Sequence, residues 1–372
     1  MEDRIDLEGN VLVSLKEEEV LEALQKFKEA GVESVAVCLL FSFLNPSHEK
    51  RIAELIEQEL PGVNISLSHE VLPEIREFER VSTTAINAYV APKLGRYLRS
   101  LENNLAGNGY RHSLLVMQSN GGVMDVDYLS RKPVHSLLSG PAGGVIGSAH
   151  LGGLADYQNF ITVDMGGTSY DVSLVQNLQP ERTTASWFSR YRLAVPMIDI
   201  HTVGAGGGSI GWVDDGGALR VGPRSAGADP GPVCYGKGGK EPTVTDANLI
   251  LGYLNAENFL GGEMKLKITQ AAQAIEEKIA HPLKTDLYQA ANGIFKIVNH
   301  NMTNAIRVVS VQRGHDPREF SLVAFGGGGP VHAAIQAREL GIKRIIVPKT
   351  AATFSALGLL SADLVINKTR SY

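Results

Sequence analysis

The chain has only two cysteines among its 372 residues, Cys38 and Cys234, and they lie far apart. This count excludes a disulfide framework, so we expect a protein of a reducing compartment. Long apolar runs are also missing, since the longest one, residues 35–44, is too short to cross a membrane. Residues 1–15 are charged and lack the apolar core of a signal peptide. These absences predict a cytoplasmic protein with no membrane partner.

Blocks of basic residues are absent as well. The net charge is −5, from 35 basic and 40 acidic side chains, which argues against nucleic acid as the main partner. The hydrophobic content of 44% is ordinary for a globular protein with one large domain or two smaller ones. Glycine is abundant instead, with forty residues in clusters at 121–122, 140–153, 166–167, 204–217 and 326–329. Such clusters indicate that the backbone comes close to another group.

The stretch FITVDMGGTSYDVSLV, residues 160–175, predicts a β-hairpin. Its first half is an apolar strand that ends on Asp164. Its second half, residues 168–175, alternates with period two and is rich in β-branched side chains, which is typical of a strand. The pair Gly166-Gly167 lies between the two halves and forms the turn.

The turn of this hairpin carries groups that suit a phosphate. Backbone N–H groups and the hydroxyls of Thr168 and Ser169 can donate to phosphate oxygens. The carboxylates of Asp164 and Asp171 can hold Mg²⁺ or orient a water molecule. An ordinary hairpin with glycine at its turn and aspartate at its rim explains the same residues.

A second glycine-rich stretch, AFGGGGPVH at residues 324–332, predicts a strand, a loop and a helix that begins at Pro330. The helix N-terminus is suited to an anion because no side chain blocks it. A tight strand-to-helix turn is the plain alternative. Taken together, the two loops predict two parts of one nucleotide site, with four glycines in the second: Gly326, Gly327, Gly328 and Gly329.

Weaker candidates are polar residues outside these loops. Asp199 and His201 share a face of a predicted strand end, which suits a metal or substrate pair or a structural hydrogen bond. Asp246 follows Thr243 in the sequence TVTD and is expected to cap a helix or to favour its dipole. His332 is expected to be a neutral, hydrogen-bonded histidine, and nothing near Cys234 marks it as a nucleophile.

The N-terminal part predicts a fragment of an α/β domain, residues 1–75, made of a helix at 15–30, a strand at 34–43 buried on both faces, a helix at 46–60 and a strand at 64–68. Two strands cannot close a sheet, so we expect their apolar edge to recruit another segment or a second copy. A long helix at 76–105 follows, and its charge-dense start, residues 74–80, is typical of a solvated face. Residues 214–240 have no periodicity and are interpreted as a lid-like loop.

Seven motifs resemble the ATP-dependent hydantoinase A/5-oxoprolinase family, which includes acetone carboxylase β-type subunits: SLSHEVLPEIREFER, NAYVAPKL, MQSNGG, LLSGPAGGVIGSAHLGG, ITVDMGGTSYDVSL, DIHTVGAGGGSI and VAFGGGGPVHA. The resemblance implies actin/sugar kinase/Hsp70-like (ribonuclease H-like) α/β lobes, with residues 76–372 as the hydantoinase A-type nucleotide-binding domain. In it, the hairpin 159–176 matches the second phosphate motif, and 322–332 matches the adenosine motif. Nucleotide contacts are implied for Ser139, Gly140 and Gly143 of the SGPAGG turn.

The same resemblance implies ATP and Mg²⁺ as cofactors and Asp164, Thr168 and Asp171 as catalytic residues. The implied reaction opens a cyclic amide or imide, such as hydantoin, N-methylhydantoin or 5-oxoproline, by phosphorylating its carbonyl oxygen. A carboxylase subunit that activates a ketone as its enol phosphate is the alternative within the family. A non-catalytic nucleotide-binding lobe is the alternative outside it. A hydantoinase B-type subunit is the implied partner.

Two departures from the family pattern affect these expectations. No D-x-G-G-T hairpin occurs in residues 1–110, although the family begins with one, the first phosphate motif. The chain is therefore expected to be the middle of a longer polypeptide, to need an N-terminal domain in cis or in trans, and to hydrolyse ATP negligibly by itself. Tyr170 stands where the family usually has a small hydroxyl residue, and strand alternation directs its side chain away from those of Ser169 and Asp171.

Overall fold

The structure, a computed structural model, describes residues 2–188 and 190–369. Two compact units can be distinguished, one made of residues 1–140, 182–198 and 362–372, the other of residues 141–181 and 199–361. These units follow packing, so the predicted boundary between residues 75 and 76 stays a prediction. The long helix starting at Glu77 packs on the two strands that precede it, and so lies in the same unit as the N-terminal residues.

Most of the predicted helices and strands are present. The strands are β1 (Arg4–Ile5), β2 (Val11–Val13), β3 (Ser34–Val37), β4 (Asn64–Leu67), β5 (Leu115–Met117), β6 (Val123–Asp125), β7 (Phe160–Met165), β8 (Tyr170–Gln176), β9 (Gln179–Pro180), β10 (Arg182–Thr183), β11 (Ser186–Phe188), β12 (Tyr191–Leu193), β13 (Met197–Ile198), β14 (His201–Val203), β15 (Ser209–Val213), β16 (Leu219–Ser225), β17 (Ser321–Phe325) and β18 (Ile345–Ile346). The α-helices are α1 (Glu17–Ala30), α2 (Ser47–Glu59), α3 (Ser68–Val71), α4 (Glu77–Gly107), α5 (Val126–Arg131), α6 (Ser139–Ala155), α7 (Val244–Ile250), α8 (Ile268–Ile275), α9 (His281–Leu283), α10 (Leu287–Val309), α11 (Gly329–Leu340) and α12 (Phe354–Leu360). Within the part of the chain that the structure describes, none of these helices is long and apolar enough to cross a membrane.

The second unit is built on a six-stranded sheet with the order β14-β8-β7-β17-β18, in which β9 pairs with the far end of β8. Strands β7 and β8 are antiparallel, as the hairpin prediction requires, and their register places Asp164 opposite Asp171. Strand β17 runs parallel to β7 and places Phe325 beside Asp164. The sheet therefore brings the two glycine-rich loops, about 160 residues apart in sequence, to the same edge.

Helix α10 packs on this sheet through β8 and on the neighbouring helix α11. Its buried positions recur every three or four residues, as in Ile294, Val298 and Met302, which gives the helix one apolar face. Its first turn is capped by Asp286, whose carboxylate accepts the backbone N–H of Gln289 at 2.8 Å. The strand β17 that leads into the second glycine loop is buried along its whole length.

The first unit contains the parallel pair β3 and β4, with α1, α2 and α4 packed around it. Two predictions were wrong here. The strand predicted at 34–43 ends at Val37, and Ala36 is exposed, so only one face of the strand is buried. The charge-dense start of the long helix is not simply a solvated face, because Arg80 is fully buried and donates from Nη2 to the carbonyl of Leu39 at 2.7 Å.

The region predicted as a lid-like loop, residues 214–240, begins as regular structure. Its first part completes a β-hairpin, in which β16 pairs antiparallel with β15. The remainder is tied down by Asp246, which is fully buried and accepts the backbone N–H groups of Val233 and Cys234. Asp246 also forms the capping box of α7 with Thr243, as the sequence suggested. These contacts make the segment an ordered connection, and its role as a lid stays a prediction.

Candidate functional site

The turn of the central hairpin is exposed and closed by a hydrogen bond from the N–H of Gly166 to the carbonyl of Ser169, at 3.2 Å. Neither Gly166 nor Gly167 has a positive φ angle, and a Cβ on either would meet nothing within 4 Å. Backbone strain therefore does not require glycine at these positions. What glycine provides is open space in front of the turn, where a side chain would otherwise stand.

Two carboxylates flank this turn from opposite strands. Burial, and then the charge of Asp171, raise the pKa of Asp164 to about 6, although the Ser355 hydroxyl donates to Asp164 Oδ2 at 3.3 Å. Burial also raises the pKa of Asp171, against hydroxyl donors from Thr202 at 2.5 Å and Ser169 at 3.3 Å. Two partly buried carboxylates that face each other repel, and a bound cation relieves that repulsion.

A third loop, which the sequence prediction noted without assigning a role, lies directly against the turn. The N–H groups of Gly207 and Gly208 donate to the carbonyls of Gly166 and Gly167, at 3.0 and 2.6 Å. A Cβ on Gly206 would lie 2.5 Å from the backbone nitrogen of Thr168. Close backbone contact thus requires glycine at 206 and 208, where a Cβ on Gly208 would lie 2.9 Å from the carbonyl of Gly167. A Cβ on Gly207 would lie 2.8 Å from the Thr245 hydroxyl, and the three glycines hold the turn in place.

The second glycine-rich loop is anchored beside Asp164. Gly326 has φ +78°, and a Cβ there would lie 2.3 Å from Asp164 Oδ1 and 2.5 Å from the carbonyl of Met165. The N–H of Gly328 donates to that same carbonyl at 3.0 Å, while Gly329 has only ordinary contacts. At Gly327 a Cβ would meet nothing within 4 Å. Of the first two positions of this loop, Gly326 is thus fixed by contacts within the protein, whereas Gly327 faces open space.

The SGPAGG motif begins helix α6, and the structure gives part of it a packing role. A Cβ on Gly143 would lie 2.7 Å from the carbonyl of Ser355, and a Cβ on Gly144 would lie 2.2 Å from the ring of Phe325. Gly143 is therefore explained by the close approach of α12, without a nucleotide. Ser139 and Gly140 open the helix, and a Cβ on Gly140 would meet nothing within 4 Å, so their nucleotide contacts stay predictions.

Asp199 and His201, the predicted metal pair, have another explanation. Asp199 forms an ion pair with the guanidinium of Arg313, which also contacts Glu181 at 2.9 Å. Burial, and then the charge of Arg313, lower the pKa of His201. Across residues 2–188 and 190–369 there is no group of three or more His, Cys, Asp or Glu side chains placed to hold a metal. We therefore do not include this pair in the proposed site.

His332 is buried in the first turns of α11 and is held as the sequence suggested. Asn248 Nδ2 donates to its Nε2 at 3.1 Å, and its Nδ1 lies 3.2 Å from Asn299 Oδ1. Its ring also stacks on Phe295, with 5.1 Å between centroids. Burial lowers the pKa of His332 to about 4, so the ring is neutral at physiological pH and is structural.

We expect the stability of the fold to fall as the pH falls from about 6.5 towards 4. The pKa of His332 drops from 6.5 to about 4 on folding, so below pH 6.5 the unfolded chain binds the proton first. Protonation of His332 lowers the free energy of unfolding by on the order of 3 kcal/mol, and this decrease is nearly complete at pH 4. Urea unfolding at several pH values measures the decrease. His332→Gln, which does not titrate, should reduce this pH dependence, and an unchanged slope would contradict the assignment. His135, with a pKa lowered to about 4, contributes in the same direction, whereas Asp164, with a pKa raised to about 6, contributes in the opposite direction.

Comparison with known proteins places this geometry in a family. The hydantoinase/oxoprolinase family profile matches residues 80–368, and the profile for the N-terminal region of the same family matches residues 1–60. The caprolactamase subunit alpha of Pseudomonas jessenii is 44% identical over 366 residues, which cover 97% of this chain and 52% of that protein. The 5-oxoprolinase of Saccharomyces cerevisiae is 36% identical over 381 residues, 96% of this chain and 29% of that protein.

Solved structures agree with this placement. A nucleotide-free acetone carboxylase structure superimposes with a TM-score of 0.86 at 32% identity, covering 97% of this chain and 51% of that chain. The ATP-dependent caprolactamase of P. jessenii superimposes with a TM-score of 0.85 at 43% identity, covering 97% and 52%. The likeness confirms the predicted α/β fold class. The chain spans about half the length of these two relatives and less of the yeast protein.

Proposed function

Because the chain belongs to the hydantoinase/oxoprolinase family, we propose that it carries nucleotide-binding residues of an ATP-dependent enzyme that opens a cyclic amide or imide. The names of the relatives support this class of reaction, since both caprolactamase and 5-oxoprolinase are named for ring amides. The substrate is proposed as a ring of the hydantoin, N-methylhydantoin or 5-oxoproline type. ATP supplies the activation.

The observation that carries the proposal is the meeting of three loops at one sheet edge. The hairpin turn at 166–169 presents backbone N–H groups on an open side, and the loop at 206–208 fixes its position. The loop at 326–329 lies next to Asp164 and opens the N-terminus of α11. Phosphate oxygens suit the first loop, and the adenosine half of the nucleotide suits the last.

The carboxylates suit Mg²⁺, which prefers oxygen ligands and retains several of its own waters. Asp164 would hold the ion directly or through water, and Asp171 stands opposite it in the ladder. When bound, the ion neutralises phosphate charge during phosphoryl transfer. Thr168 and Ser169 supply hydroxyl donors beside the same turn.

The proposed chemistry makes an unreactive ring amide susceptible to attack by water. The carbonyl oxygen attacks the γ-phosphorus, ADP leaves, and the ring carbon becomes a better electrophile. Water then adds to this carbon, the ring nitrogen leaves as an amine, and a second water releases phosphate from the acyl group. The backbone N–H groups at 166–168 and the carboxylate of Asp164 serve by positioning the phosphate and balancing its charge.

A ketone carboxylase subunit is the second candidate, and the superposition with acetone carboxylase favours it. There the phosphorylated atom is an enol oxygen. Water takes the phosphoryl group as phosphate, and the enol carbon attacks carbon dioxide formed from bicarbonate while the ketone carbonyl forms again. Both relatives with solved structures act through ATP according to their descriptions. Relatives named as subunits, such as caprolactamase subunit alpha, support a partner subunit here, and we propose that it is of the hydantoinase B type.

Substrate-dependent ATP hydrolysis distinguishes these candidates. We expect 5-oxoproline, hydantoin or caprolactam to raise the rate of ADP release by the assembled enzyme and to yield a ring-opened product by mass spectrometry. Stimulation only by a ketone with bicarbonate, with a carboxylated product, would instead establish the carboxylase. ATP binding with no stimulation by either class would favour a non-catalytic nucleotide-binding unit.

A further inference from the structure

A cavity of about 630 Å³ lies within the first unit, outside the chemistry described so far. It borders residues 69–73, which follow the carboxyl end of β4 in the parallel pair β3 and β4. In α/β proteins ligands bind at the carboxyl ends of parallel strands. The size falls within the range of small-molecule pockets, which are apolar with a few convergent polar groups. Here the apolar wall includes Val71, Leu72 and Val195.

The first convergent group is a histidine held by a buried carboxylate. Glu49 is fully buried and accepts four hydrogen bonds, from the N–H of Leu39, the hydroxyl of Ser68, and the N–H and Nδ1 of His69. Although burial opposes it, these donors, with the His69 side chain foremost, lower the pKa of Glu49, so it is ionised. The bond of 2.7 Å to Nδ1 fixes the ring of His69. Among the described residues Nε2 has no hydrogen-bond partner, and in the neutral ring it is an acceptor.

The second group is a lysine without a carboxylate partner. Lys132 Nζ lies 5.6 Å from the centre of the Tyr128 ring, and no described carboxylate is within salt-bridge distance of it. Burial lowers the pKa of Lys132, and the charge of Arg131 adds to that effect against the attraction of Glu70. Arg131 and Lys368 line the same cavity, so its lining has three cations and one carboxylate, that of Glu70. An anionic ligand group would balance this charge.

We propose that this cavity binds a small cyclic amide that carries a carboxylate. The carboxylate pairs with Lys132 and Arg131, and the ring N–H donates to His69 Nε2. Such a molecule combines an anion with an adjacent N–H, which matches the cations and the acceptor nitrogen that line this one cavity. The ring-amide class rests on the proposed function, whereas the charge and the N–H come from the cavity itself.

The test is calorimetric titration of the chain without nucleotide, using 5-oxoproline, 2-pyrrolidinone and inorganic phosphate as probes. 2-Pyrrolidinone has the same ring without the carboxylate, so we expect it to bind at least about tenfold more weakly than 5-oxoproline. Lys132→Met should weaken 5-oxoproline binding about tenfold and reduce the ratio between the two lactams, because only the 5-oxoproline carboxylate pairs with this side chain. Lys50→Met, at an exposed position outside the cavity, should change neither affinity.

His69→Asn tests the other contact, because its amide can still donate to Glu49 but lacks the far ring nitrogen. We expect weaker binding of both lactams with an unchanged melting temperature. Equal binding of the two lactams by the unmodified chain, binding of phosphate in place of 5-oxoproline, or no binding at all would overturn the proposal. These results do not involve ATP, so a failure here is distinct from a failure of the proposed phosphoryl transfer.

Discussion

Asp164→Asn should lower ATP turnover by the active enzyme by on the order of 10³-fold, while the chain remains folded. The substitution keeps the size of the side chain and removes the charge that the proposal assigns to the metal or to water. Steady-state ADP release with saturating Mg²⁺ and a stimulating ring amide measures the loss. Near-normal turnover by this variant would remove Asp164 from the site.

Asp164→Asn should lower the activity without lowering the stability of the fold. Burial and the facing charge of Asp171 raise the pKa of Asp164 to about 6, which means that the ionised form is disfavoured in the folded chain. A neutral amide removes that repulsion at neutral pH, so we expect an unchanged or higher melting temperature. A gain in stability with a loss of activity is the usual behaviour of residues kept for function. A variant that lost both would assign Asp164 a structural role.

Ser355→Ala provides the matched control for this position. It removes the hydroxyl that donates to Asp164 Oδ2 at 3.3 Å and leaves the carboxylate in place. A weak, partly buried hydrogen bond contributes about 1 kcal/mol, so turnover should fall by less than about tenfold. A larger loss would show that the orientation of Asp164, and not only its charge, limits the reaction.

Local patterns in the sequence were sufficient for the hairpin and for the strand and helix around the second glycine loop. Alternation over residues 168–175 and the Gly166-Gly167 turn are properties of neighbouring residues, so they can be read without a fold. The pairing of β7 with β17 was not predicted; the sequence indicated only that the two glycine loops form parts of one nucleotide site. The structure brings the two loops together by placing Gly326 against Asp164.

Contacts between distant segments account for what the sequence did not reveal. The glycines at 206–208 were visible as a cluster, but only the fold shows that they lie on the hairpin turn. Ser355 belongs to a small-residue helix that gave no polar signal. Arg80 and Glu49 look like solvated charges in sequence, yet both are fully buried, because hydrogen bonds to backbone groups replace water around them.

Two adjacent glycines are expected to have different roles: Gly326 is required by the fold, and Gly327 leaves space for the nucleotide. Gly327→Val should leave the melting temperature nearly unchanged, because φ is not in the left-handed region and a Cβ there has open space around it. If the nucleotide approaches this backbone, the branched side chain stands in its place, and we expect ATP affinity to fall about ten- to a hundredfold. Calorimetric titration with ATP and Mg²⁺ measures this, and an unchanged affinity would exclude the loop from the nucleotide site.

Gly326→Ala should lower the stability of the fold, which Gly327→Val should not, and it is therefore the control for Gly327→Val. Its φ of +78° disfavours any side chain, and its Cβ would lie 2.3 Å from Asp164 Oδ1, so the fold itself must shift. We expect a lower melting temperature together with weaker ATP binding. If both variants lost stability equally, packing would explain the glycine at 327. The loop would then no longer be assigned to nucleotide binding.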